Sequence, residues 1–96
     1  MARFDNKVVL ITGAGSGIGK ASAQRISSEG GTIVCVDINK EQVQAVADSI
    51  VADGGEAIAL VCDVSDQASV KATVAAAVEK YGKLNALCNI AGMLRF

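Results

Sequence analysis

Apolar positions in this chain of 96 residues fall into short unbroken runs, separated by longer stretches with helical spacing. Lys7 to Thr12 (K-V-V-L-I-T) and Thr32 to Asp37 (T-I-V-C-V-D) are rich in β-branched residues and lack polar alternation. That pattern predicts strands buried on both faces, as a parallel sheet requires. Between them a glycine-rich turn leads into a predicted helix from about Gly17 to Glu29, stopped by Gly30 and Gly31. Asn39 is placed to cap a second helix. Its Val43, Val46, Ala47, Ile50 and Val51 recur at i, i+3, i+4, i+7 and i+8, one helical face; Gly54 and Gly55 end it. Glu56 to Cys62 predicts a third strand. Ser65 is expected to cap a third helix with an apolar stripe of Val70, Val74, Ala77, Val78 and Tyr81, closed by Gly82. Leu84 to Asn89 (L-N-A-L-C-N) predicts a fourth strand.

The order is therefore βαβαβαβ. Parallel neighbours need crossover connections, and crossovers of this kind are right-handed. The expected fold is α/β, a Rossmann-like doubly wound parallel sheet in strand order 3-2-1-4, truncated after strand 4. Strands 1 and 4 then flank the point where the winding reverses, the crevice in which such sheets bind ligands. The whole chain, 1–96, reads as one domain.

Composition narrows the function classes. Hydrophobic residues make up 51% and charged residues 20%, enough apolar surface to offset the entropy of ordering. Net charge is -1 with no basic run, so there is no electrostatic footprint for nucleic acid or an anionic membrane. The run Val8 to Ile11 is too short for a signal-peptide core or a membrane span, and a cytoplasmic location is expected. Cys35, Cys62 and Cys88 have no Cys-x-x-Cys spacing, and the chain contains no histidine. They read as small buried hydrophobes rather than metal ligands.

The turn Thr12-Gly13-Ala14-Gly15-Ser16-Gly17-Ile18-Gly19 follows a predicted strand and opens a predicted helix. A pyrophosphate needs backbone N–H groups aimed at it, and a helix N-terminus supplies them with a favourable dipole. Gly13 is expected to make the tight turn, Ser16 and Ile18 to offer N–H groups, and Gly19 to let the helix pack close to the sheet. Asp37 ends strand 2, where a carboxylate can accept from both adenosine ribose hydroxyls and repel the 2′-phosphate of NADP. No basic residue stands between Thr12 and Gly19 to bind that phosphate, so NAD is the expected cofactor. Asp63 and Val64 follow strand 3, with Asp63 placed to accept from the adenine amino group and Val64 to pack on the ring.

On Thr12-Gly13-x-x-x-Gly17-Ile18-Gly19, Asp37, Asp63-Val64 and Asn89-Ile90-Ala91-Gly92, ordered over nearly the whole chain, the sequence resembles the N-terminal, cofactor-binding portion of the short-chain dehydrogenase/reductase family. The resemblance implies an oxidoreductase that interconverts a secondary alcohol and a ketone with NAD. It implies that Asn89 steadies strand 4 beside the cofactor, and that Ala91 and Gly92 let the nicotinamide ribose approach the backbone. Ile90 departs from the family's second asparagine, and Asn85 stands where an aspartate is common.

In the family a tyrosine acts as general acid/base with a lysine four residues later, aided by a serine and a further asparagine, all beyond strand 4. This chain has one tyrosine, Tyr81, followed by Gly82 and Lys83, which is the wrong spacing. A phenol with pKa ~10 is a poor base at neutral pH without that lysine. No catalytic residue is therefore assigned, and the 96 residues alone are expected to turn over no alcohol. A standalone nucleotide-binding module without catalysis is the alternative. A methyltransferase, which also places glycines after strand 1 and an acid after strand 2, matches Gly17-Ile18-Gly19 and Asn89-x-Ala91-Gly92 less well. The outer edge of strand 4 is expected to promote self-association.

Overall fold

The computed structural model describes residues 4–15, 17–63 and 65–89. Its elements are β1 (Val8–Thr12), α1 (Gly17–Ser28), β2 (Thr32–Asp37), α2 (Lys40–Ala52), β3 (Glu56–Val61), α3 (Gln67–Tyr81) and β4 (Ala86–Asn89). The sheet has the order β3-β2-β1-β4, and every pairing is parallel. Thr12 is in register with Val36 of β2 on one side and Asn89 of β4 on the other. The carboxyl ends of the central strands thus lie together.

The absence of polar alternation in β1 and β2 is explained by helices on both faces. All five residues of β1 are buried. Val9, Ile11, Ile33 and Cys35 face Ala23 of α1 and Val43, Val46, Ala47 and Ile50 of α2. The intervening Val8, Leu10, Val34 and Val36 pack with Ala77 of α3. Each fully buried Val, Leu or Ile contributes about 1.5–3 kcal/mol of transfer free energy, so the two central strands carry most of the core. β3 is only half-buried along its middle, as befits the outer strand.

Several local expectations are corrected. Asp66, not Ser65, caps α3: its Oδ1 accepts the Ala68 N–H at 3.0 Å. Ser65 turns back to Asp63 instead, and the ionised carboxylate one residue on is the stronger acceptor for a helix N-terminus. Val51 and Val78, taken as stripe positions, are 54% and 40% exposed, because each lies at the rim of its helix's apolar face. α3 instead buries Thr73, whose hydroxyl donates to the Ser69 carbonyl at 2.8 Å. β4 begins at Ala86 rather than Leu84. Asn85 binds Val8 just before the strand, its N–H donating to the Val8 carbonyl and its Oδ1 accepting the Val8 N–H at 2.7 Å. Asn39 caps α2 as expected, accepting the Gln42 N–H at 3.0 Å.

Candidate functional site

The loop from β1 to α1 is shaped by close backbone contacts that only glycine permits. Gly13 and Gly17 have φ of 68° and 58°, left-handed values costly for other residues. A Cβ on Gly19 would lie 1.9 Å from the Gly13 carbonyl oxygen, so the first turn of α1 rests directly on the residue that follows β1. The close approach assigned to Gly19 is therefore to the loop's own backbone. The Ala14 N–H donates to the Val36 carbonyl at 3.1 Å, which ties the loop to β2. The Thr12 hydroxyl donates to the Cys88 carbonyl at 3.4 Å and links the same strand end to β4.

α1 has no acidic residue in its first turn. Its N-terminal N–H groups and the positive end of its dipole thus face no competing carboxylate on their own helix, a favourable setting for an anion. The Ile18 side chain is 74% exposed at this helix start.

Asp37 sits beside this loop and is half-buried. Its Oδ2 accepts the Gly15 N–H at 2.9 Å, and its Oδ1 accepts the Asn39 N–H at 3.2 Å. Gly15 was not singled out from the sequence. The signal available there was only that a fourth glycine stood inside the motif; its contact depends on how β1 and β2 are juxtaposed.

Asp63 lies at the end of the outer strand and is exposed. Its Oδ1 accepts both the Ser65 hydroxyl, at 2.6 Å, and the Ser65 N–H, at 3.0 Å. These two bonds hold its carboxyl below the usual aspartate value. The structure thus brings Gly13, Gly17, Gly19 and Asp37 into one neighbourhood, whereas the hydrogen bonds of Asp63 are to its own turn. Asn89 pairs through β4 with Thr12. Its side chain, together with Ser16, Val64, Ala91 and Gly92, lies outside the described residues.

The remaining titratable candidates fall in the core. Cys35 and Cys62 are buried and Cys88 is half-buried; burial pushes the Cys35 thiol up to about 12. Tyr81 packs on the α3 face of the sheet, and its hydroxyl is buried with no hydrogen-bond partner among the described residues. Burial, and then the charges of Glu56 and Cys35, raise its phenol above the usual value, which moves it further from acid/base work at neutral pH.

Comparison with known proteins places the same loop and acid in context. Residues 7–96 match the family described as short chain dehydrogenase. The chain is 47% identical over 94 residues to a 3beta-hydroxysteroid dehydrogenase of Mediterraneibacter gnavus, covering 98% of this chain and 34% of that protein. It is also 47% identical over 91 residues to a meso-2,3-butanediol dehydrogenase of Serratia marcescens, covering 95% of this chain and 36% of that one. Among solved structures, a hydroxysteroid dehydrogenase from Escherichia coli superposes with a TM-score of 0.92 at 39% identity, over 96% of this chain and 39% of its own. The chain spans about a third of the length of the relatives it matches.

Proposed function

Because this chain belongs to the short chain dehydrogenase family, we propose that it is the NAD(H)-binding portion of an oxidoreductase interconverting a secondary alcohol and a ketone. The observation that carries this reading is the juxtaposition of the Gly13–Gly19 loop, opening α1, with the Asp37 carboxylate at the end of β2. The residues fit a dinucleotide. Close backbone packing at Gly19 holds the first turn of α1 against the glycine loop, the α1 N-terminus suits a diphosphate, and Asp37 suits a ribose. When bound, the nicotinamide gives or takes the hydride.

In this reading the amides of Ser16, Gly17 and Ile18 bind the diphosphate. Asp37 accepts from the adenosine ribose and disfavours a 2′-phosphate, so NAD is preferred to NADP. Asp63 and Val64 border the adenine, while Asn89, Ala91 and Gly92 border the nicotinamide ribose. The chain supplies binding and orientation. It has no Tyr-x-x-x-Lys pair to move the alcohol proton, and residues 1–96 alone turn over no alcohol.

Fluorescence titration of the 96-residue chain with NADH and with NADPH tests the assignment. Saturable NADH binding, tighter than NADPH, is expected; absence of binding to either cofactor refutes it. The outer edge of β4, unpaired among the described residues, also invites a second copy of the chain. Concentration-dependent sedimentation is the expected sign, and a monomer at all concentrations counts against it.

A further inference from the structure

We propose that Gly15 is a positioning residue for cofactor selectivity: its backbone N–H, and the room left by its missing Cβ, hold the Asp37 carboxylate where it discriminates NAD from NADP. This inference rests on the dinucleotide-binding reading above. Gly15 differs from Gly13 and Gly17 in lying outside the left-handed region, so its backbone conformation does not demand glycine. Space does. A Cβ there would fall 2.7 Å from Asp37 Oδ2 and 3.0 Å from Gln42 Cβ.

The Gln42 Cβ is fixed in the first turn of α2, whereas the carboxylate is the end of a short rotatable side chain. A methyl group at position 15 therefore relieves its clash by turning the carboxylate away from the Gly15 N–H. That loses the 2.9 Å hydrogen bond, and with it the orientation of the acid.

The acceptor positions also add up. An ionised carboxylate offers about four. Gly15 occupies one on Oδ2 and Asn39 one on Oδ1, which leaves acceptor capacity on each oxygen. Two vicinal ribose hydroxyls need two such acceptors. The clamp and the sugar are thus compatible, and a carboxylate fixed by two amides pays less entropy on binding than a free one. The same clamp ties the glycine loop to the start of α2, because Asn39 also caps that helix.

The test compares NADH and NADPH affinities, by fluorescence titration, of the parent chain, Gly15→Ala, Asp37→Ala and the double variant. Gly15→Ala is expected to weaken NADH about tenfold, the scale of a lost hydrogen bond to a charged group. NADPH affinity is expected to hold or rise, so that the preference collapses. In the Asp37→Ala background the same substitution should change NADH affinity less than about twofold, because coupled residues are not additive.

Equal loss for both cofactors, or full additivity, overturns the proposal. Should Gly15→Ala fail to fold, amide hydrogen exchange decides on the parent and Asp37→Ala. The Gly15 amide should exchange at least about tenfold faster once its charged acceptor is gone, and unchanged exchange overturns the clamp. A parent that binds neither cofactor refutes the dinucleotide reading and the selectivity role with it. A parent that prefers NADH, with the preference intact in Gly15→Ala, refutes the Gly15 role alone.

Discussion

Asp37 ends β2 and Asp63 stands just beyond β3, and the two carboxylates begin alike. Each carboxylate accepts the N–H of the residue two positions on, Asn39 and Ser65 respectively. The resemblance ends there. Asp37 receives a second amide, from Gly15 across the sheet, while Asp63 receives the hydroxyl of its own turn. The cause is strand order. β2 lies between β3 and β1, so its carboxyl end adjoins the glycine loop; β3 is the outer strand, and the turn after it has a strand on one side only. Two acids that accept the same i+2 amide thus acquire different surroundings from their places in the sheet.

The largest expected effect removes the loop on which the difference depends. Gly19→Ala drives a methyl into the Gly13 carbonyl and should destabilise the chain by about 3 kcal/mol, the upper end for overpacking. Urea unfolding checks this, and a change below about 1 kcal/mol would show that the loop yields easily.

Next, Asp37→Ala should weaken NADH roughly ten- to a hundredfold, the scale of hydrogen bonds to a charged group, while NADPH affinity holds or rises. Parallel titrations read the comparison directly. Asp63→Ala should change NADH affinity less than about threefold, because an exposed carboxylate is screened by water and its Oδ1 is already engaged. A loss as large as that at Asp37 would erase the distinction between the two acids.

The smallest effect is in pH. The folded-state value of Asp63 lies below its unfolded value of ~3.9, so below that value the unfolded chain binds more protons. Its contribution to stability is complete above the unfolded value and is lost as pH falls through the folded one. Asp63→Asn should therefore flatten the acid limb of the stability curve below about pH 4. Denaturant midpoints from pH 5 down to pH 2 test this, and an unchanged slope would show that the Ser65 bonds do not persist in solution.

Much of the fold was legible because its signals are local. Buried parallel strands announce themselves by β-branched runs, and β1 and β2 follow them closely. Asn39 lies where a cap must lie, and four of the five apolar positions predicted for α2 are buried. The misses are also local in origin. Ser65 and Asp66 are both good caps, and the folded chain decides between them: Asp63 takes the Ser65 hydroxyl and amide, and Asp66 accepts the Ala68 N–H. Val51 and Val78 match the helical period, but a period does not say how wide a face the sheet can cover. Asn85 reads as a strand residue by pattern, yet its side chain takes the Val8 N–H ahead of the ladder.

The glycine turn, the acid after the second strand and the alternation of strands and helices were determined by the sequence alone. Each is written within a few neighbouring residues, through side-chain period, capping chemistry and the conformational freedom of glycine. Which acid meets the glycine loop was decided only by the tertiary structure. Gly15 and Asp37 are 22 residues apart in the chain, and it is the lateral pairing of β1 with β2 that brings an amide and a carboxylate within 2.9 Å.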